Sequence, residues 1–276
     1  MYRNLAISVL VFTIIINIQA VSTLAGAKET KNTNIEVALQ EVETEDKTSN
    51  SKITLKEILE KHYEAIGGLE AWQALNSYKF AGSMYTKEAT FRTAAVFMRP
   101  NLCRLDFQSG NLYFMESYDG KIPWQMNPGS RSGPEILKGK RAKEMIDTCD
   151  FEGPLVNHKL KGHKIKYMGK EKIEDRWGYV LEVKFQTGNT DRYYLDTETY
   201  LPFMVKGSTT IQGQVVDTTI NINEYIEIGD IKIPFSYEFI VEGNPSPETL
   251  KIKTVQLNPD IDDSIFKLPK RPQDLR

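Results

Sequence analysis

The sequence is short of the residues that do most enzymatic chemistry. It holds three histidines (His62, His158 and His163) and two cysteines (Cys103 and Cys149) in 276 residues. No His–x–x–x–His or His–Glu–x–x–His spacing is present, which removes the commonest helical metal site. No Gly–x–Ser–x–Gly elbow and no phosphate-cradling Walker loop occur. Neither cysteine has a neighbouring histidine in the chain to make it a nucleophile. Excess charge is also lacking. The formal net charge is -2, which gives no electrostatic footprint for nucleic acid or an anionic membrane surface. Beyond the N-terminus no apolar run is long enough to cross a bilayer, which needs ~20 residues. An esterase or glycosidase is therefore the least supported reading, and no catalytic residue, metal site or cofactor is assigned. Carboxylate pairs such as Glu174–Asp175 and Asp262–Asp263 read as solvated turns, and the basic segment Lys138–Gly139–Lys140–Arg141 as a solvated helix face.

The N-terminus carries the pattern of an export signal. Arg3 gives a positive start, Leu5 to Ile18 is uncharged and mostly apolar, and small residues follow. The small–x–small rule allows cleavage after Ala20 (Ile18–Gln19–Ala20) or Ala27 (Ala25–Gly26–Ala27). The alternative, an uncleaved anchor, needs a longer run. No cysteine stands near either site to take a lipid anchor, so the mature protein is expected in the periplasm, not lipid-anchored. Three segments result: residues 1–27 as signal, 28–51 as a polar disordered spacer, and 52–276 as one domain. In an oxidising compartment Cys103 and Cys149 could bond to each other, or each could be a small buried apolar group. Both readings stand at this point.

The domain opens with two helices. Leu55, Ile58, Leu59, His62 and Ile66 form one stripe at helical spacing, started by a Thr54/Glu57 capping box and stopped by Gly67–Gly68. His62 reads as a satisfied boundary residue. A short helix, Leu69 to Leu75, carries Trp72. From Ser77 the period becomes two: Tyr78, Phe80, Gly82 and Met84 share a face, as do Phe91, Thr93, Ala95 and Phe97, then Cys103, Leu105 and Phe107, then Tyr113, Met115 and Ser117. Short turns such as Asp119–Gly120 imply antiparallel neighbours. A third helix is predicted over Glu135–Cys149, with Ala142, Met145, Ile146 and Cys149 on its apolar face. Further strands are predicted over Ile165–Ile173, Tyr179–Gln186, Asp191–Asp196, Pro202–Ile211, Gln214–Ile226, Ile231–Val241 and Thr249–Leu257.

The fold class is thus mainly β with helices: an antiparallel, incompletely closed β-barrel of about ten to twelve strands. Two to three helices cover its concave apolar face. Methionine and aromatic side chains recur on the inward positions and suit either an adaptable apolar cavity or an ordinary core. Candidate ligand-contacting residues are Ile58, Leu59, Phe80, Met84, Phe97, Phe107, Tyr113, Met115, Met145 and Ile146.

The order of landmarks extends this reading. Ile58–Gly68 (ILEKHYEAIGG) is followed by Trp72 and Tyr78. Then come Asp119–Gly120 with Trp124, Asp150–Leu155 (DFEGPL), Tyr193–Asp196 (YYLD) with Leu201–Pro202, and Ile233–Pro234. Last stand Asn258–Pro259 and Asp262–Asp263 with Phe266 and Pro269. In this order the chain resembles the outer-membrane lipoprotein-sorting (LolA-like) family, in a divergent form, over about residues 53–269. The resemblance implies an unclosed barrel whose helices close its mouth and whose cavity holds acyl chains of a lipid or lipoprotein. Envelope membrane proteins are then further partners, and nucleic acid is not. One family feature has no counterpart: Arg92, Arg99 and Arg104 all lie on early strands, and none matches the arginine that latches the family's lid. The alternative function is an envelope interaction or sensor module with the same fold and a filled core.

Overall fold

The computed structural model describes residues 53–127, 133–211, 214–244 and 246–269; the expected export signal and polar spacer lie outside them. Helix α1, Leu55–Ala65, begins as the capping box requires. Thr54 Oγ1 accepts from the Glu57 amide at 3.3 Å, and the Thr54 amide donates to Glu57 Oε2 at 2.8 Å. Its other end is a Schellman turn: Gly68 N–H donates to Tyr63 O (2.8 Å) and Gly67 N–H to Glu64 O (3.1 Å). Helix α2, Leu69–Gln73, follows at once.

The sheet is built in chain order from β1 (Ser77–Tyr85), β2 (Thr90–Met98), β3 (Leu102–Ser109), β4 (Leu112–Tyr118), β5 (Pro123–Met126) and β6 (Glu135–Ile136). Helix α3, Gly139–Thr148, interrupts it. The sheet resumes with β7 (Lys164–Ile173), β8 (Arg176–Lys184), β9 (Thr190–Asp196), β10 (Pro202–Ile211) and β11 (Gln214–Ile222). Strands β12 (Tyr225–Ile228), β13 (Ile231–Pro234), β14 (Ser236–Val241) and β15 (Glu248–Leu257) complete it, and a 3₁₀ turn spans Asp263–Phe266. Thirteen strands form one antiparallel sheet in the order β6-β5-β4-β3-β2-β1-β15-β14-β11-β10-β9-β8-β7. Strand β15 enters between β1 and β14, so the last strand joins the two halves. The outer strands β6 and β7 do not pair with each other, and the barrel stays open. The architecture expected from the sequence is the one observed.

Three details differ from expectation. The strand count exceeds ten to twelve, because Gln214–Ile226 and Ile231–Val241 each break. Pro234 has no N–H for the ladder, and the chain between Asn223 and Phe235 leaves the main sheet as the ribbon β12–β13. Helix α3 starts at Gly139, not Glu135: Gly139 takes a positive φ of 59°, and Glu135–Ile136 instead pair with β5. The parity of β4 is also one residue off. Phe107 faces Phe114, and Leu105 faces Glu116 across the β3–β4 ladder, so Phe114 and Glu116 share the inner face. Tyr113, Met115 and Ser117 therefore point the other way. That outer face is covered locally: Phe266 is fully buried, and its carbonyl accepts from Trp124 Nε1 (2.8 Å) and Ser117 Oγ (3.0 Å).

Cys103 and Cys149 form a disulfide that ties β3 to the C-terminal end of α3, with Cα atoms 5.2 Å apart. The ribbon reaches across in the other direction. Lys232 N–H donates to Ile66 O at 2.9 Å. A Cβ on Gly67 would lie only 1.9 Å from Asp230 O, so only glycine allows the ribbon's turn to seat against the end of α1.

Candidate functional site

Between the inner face of the sheet and its covering lies an apolar cavity of about 340 Å³. Volumes of ~300–1,000 Å³ are usual for small-molecule sites. Strands β1, β2 and β3 supply Tyr78, Phe80, Met84, Thr93, Phe97, Leu105 and Phe107. Strands β14 and β15 supply Tyr237, Phe239 and Leu250. Pro202, Val205, Ile220 and Ile222 extend the wall along β10 and β11, and Tyr225, Ile233 and Pro234 of the ribbon close one side. His62 and Ile66 of α1, Trp72 of α2, and the segment from Asp147 to Leu155 make the lid.

Aromatic contacts hold that lid segment to the sheet. Phe151 stacks on Tyr78 with ring centres 6.3 Å apart and lies 6.3 Å from Phe97. The Arg99 guanidinium sits 5.3 Å over the Phe151 ring and forms an ion pair with Glu152 at 2.5 Å. Arg99 also donates to the carbonyls of Trp72 (2.9 Å) and Leu75 (2.6 Å). One arginine thus joins α2, the end of β2 and the lid.

The wall also carries polar groups: Asp147, Asp150, Glu152 and Asp191, with Tyr193, Thr93, Thr148 and His62. Of the acids, Asp147, Asp150 and Asp191 are all within electrostatic reach of Tyr193. Burial pushes Asp147 and Asp150 up to about 6 and Asp191 up to about 7. The same cause lowers His62 to about 4, so it is neutral near pH 7. Its Nδ1 lies 3.0 Å from Tyr200 O and donates there, so the ring is satisfied, but it is buried in the wall and does not sit at the boundary.

Of the ten candidate residues, Phe80, Met84, Phe97 and Phe107 line the cavity. The other six lie elsewhere. Ile58 and Leu59 are buried one and two turns earlier on the α1 stripe, against Tyr179, Leu181, Val183 and Leu195. Met145 is fully buried in the main core beside Cys149 and Leu137. Ile146, next to it, is half-buried and outside the cavity wall. Met115 lies on the outer face. Tyr113 is also there, accepting from Arg104 at 3.1 Å and donating to Asp106. The sequence reading missed Trp72, Tyr193 and Tyr237 as wall residues, although Trp72 and Tyr193 were among its landmarks. It also missed the acids, because Asp147 and Asp191 carry no signal that separates them from solvated carboxylates.

No family model and no curated protein sequence matches the chain. Solved structures do. A LolA superfamily protein from Nitrosomonas europaea superposes with a TM-score of 0.53 at 16% identity, covering 79% of this chain and 99% of that one. The fold is LolA-like. An outer membrane lipoprotein-sorting protein domain from Vibrio parahaemolyticus gives 0.51 at 12% identity, over 76% of this chain and 94% of its own. A DUF1329 family protein from Desulfovibrio piger gives 0.50 at 11%, over 77% and 97%. The landmark pair Asn258–Pro259 ties the sheet's halves together: Asn258 Oδ1 accepts the Asn76 amide at 2.7 Å, and Pro259 O accepts from Ser77 Oγ at 2.6 Å, joining the end of β15 to the start of β1. Among the described residues no helix is long and apolar enough to cross a membrane.

Proposed function

We propose that this chain is a periplasmic binding or carrier protein for lipids or acylated lipoproteins. Its guest's acyl chains would occupy the cavity between the sheet and the helices, and it performs no catalysis. One observation carries the reading: the interior beneath the lid is an aromatic-lined space of about 340 Å³, not a filled core. A filled core would suit the alternative, a protein-interaction module. Removing a chain from water gains ~0.8 kcal/mol per buried CH₂, so a few exposed methylenes suffice to drive loading. The signal-like residues 1–27 and the disulfide, of a kind that persists in oxidising compartments, support export as part of this reading.

Native mass spectrometry of protein purified from the envelope tests this, together with titration of the delipidated protein with the uncharged apolar dye N-phenyl-1-naphthylamine. Co-purifying lipid and saturable dye binding are expected. Phe80 is half-buried on the cavity wall, and Phe80→Asp should abolish dye binding while the sheet stays folded. A ligand-free protein that binds no dye would end the carrier reading.

A further inference from the structure

The cavity is one-sided in charge. Four carboxylates line it, whereas Lys232 is the only lysine or arginine among its described lining residues. Lys232 is already paired with Glu227 at 3.1 Å. Two of the acids are neutralised from behind: Glu152 by Arg99 (2.5 Å) and Lys161 (3.1 Å), and Asp150 by Lys161 (2.6 Å). Asp150 Oδ2 remains buried without a hydrogen-bond partner. The other two have no cation in contact. Asp147 accepts only from the neutral donors Thr187 (2.7 Å) and Asn189 (2.7 Å). The Asp191 carboxylate, on the wall, makes no hydrogen bond or ion pair with any described residue. Lys140, the nearest basic influence on it, is paired with Glu144 instead at 3.8 Å.

A Cβ on Gly207 would come within 2.3 Å of Asp191 Oδ1, so the carboxylate rests directly on the bare backbone of β10. Beyond burial, the charges of Asp191, Asp150 and Asp147 each push the Tyr193 phenol up, so all three lie within electrostatic reach of it. A carboxylate in such surroundings is costly unless a cation joins it.

We propose that the guest of this cavity is an amphiphile whose apolar chain carries a protonated amine, recognised by Asp191 with Asp147, and that an anionic head group is excluded. This rests on the reading of the cavity as an acyl-chain site. The chain lies along Phe80, Phe97 and Phe239, and the ammonium reaches the acids, where it donates to Asp191 and shares the Tyr193 hydroxyl. A fatty acid or an anionic phospholipid head would meet like charge in a low-dielectric wall.

Competition at pH 7.5 distinguishes the possibilities. The purified, delipidated chain is loaded with N-phenyl-1-naphthylamine and titrated with dodecylamine, dodecanol or laurate, three guests with one chain and different heads. Dodecylamine should displace the dye at about 10-fold lower concentration than laurate, a difference of ~1.4 kcal/mol. Asp191→Asn should bring the two within about 2-fold of each other. Equal displacement by laurate and dodecylamine in the unaltered protein, with dodecanol also active, overturns this inference and leaves the carrier reading standing. A ratio unchanged in Asp191→Asn overturns the role of that residue, and with it the proposal. Failure of all three guests, dodecanol included, overturns the carrier reading itself.

Discussion

Helices α1 and α3 cover the same concave face, yet they are held there by different means. Helix α1 carries its own start and stop: a capping box at Thr54 and a Schellman turn at Gly67–Gly68. Its apolar stripe buries Ile58 and Leu59 against β8 and β9. Helix α3 has no side-chain cap at its N-terminus. It is fixed by partners distant in sequence: the Cys103–Cys149 bond, the Arg141–Glu116 ion pair at 2.7 Å, Glu144 beside Thr209, and Asp147 on Thr187 and Asn189. Local signals make a helix readable in advance. Long-range bonds make it tunable by redox state and pH.

The sharpest way to break this contrast is to cut the covalent tie. Closing 46 residues of chain is worth ~4 kcal/mol in the loop-entropy account. Cys103→Ala with Cys149→Ala should lower stability by about that amount in urea denaturation, and amide exchange should rise in α3 more than in α1. Equal loosening of both helices would show that the bond stabilises the sheet in general.

The next effect is pH, and the two helices should respond in opposite directions. On α1, His62 is lowered from 6.5 to about 4 by burial. Its contribution is full above 6.5 and is lost as pH falls toward 4, by up to ~3 kcal/mol. On α3, burial raises Glu144 to about 7, against the pull of Arg141 and Lys140, and Asp147 to about 6, against Thr187, Asn189 and Lys143. Raised acids stabilise below their unfolded pKa and lose that contribution as pH rises through the folded value. Amide exchange, corrected for intrinsic rate, should therefore show α3 gaining protection relative to α1 between pH 7.5 and pH 5. Parallel changes in both helices would contradict the assignment.

The smallest effect belongs to the local signal. Thr54→Ala removes one half of the capping box and should cost ~1 kcal/mol, read as a shift in thermal midpoint. A loss several-fold larger would mean that Thr54 supports more than the first turn.

The same contrast explains what could be read from the chain alone. Capping, helical stripes and strand alternation are local, and they placed α1 and the inward faces of β1, β2 and β3 correctly, including Phe80, Met84, Phe97 and Phe107. Parity failed on β4, because Met115 and Phe114 are equally apolar and only the ladder tells which faces in. Met145 lies on the expected apolar face of α3, but that face packs into the core and leaves the cavity to Asp147 and the residues after it. The disulfide stayed open because a pairing over 46 residues depends on Cα separation, which no spacing gives. The acids of the wall were hidden for the opposite reason: in sequence, an aspartate destined for a greasy interior is identical to one destined for water.

The gap between β6 and β7 bears on how large a guest the proposed site could take. A sealed barrel has a fixed girth, because widening it must tear a ladder of hydrogen bonds. Here no ladder spans the seam. The wall can splay by small changes of twist shared among many strands, and the interior volume can follow the bulk of whatever enters.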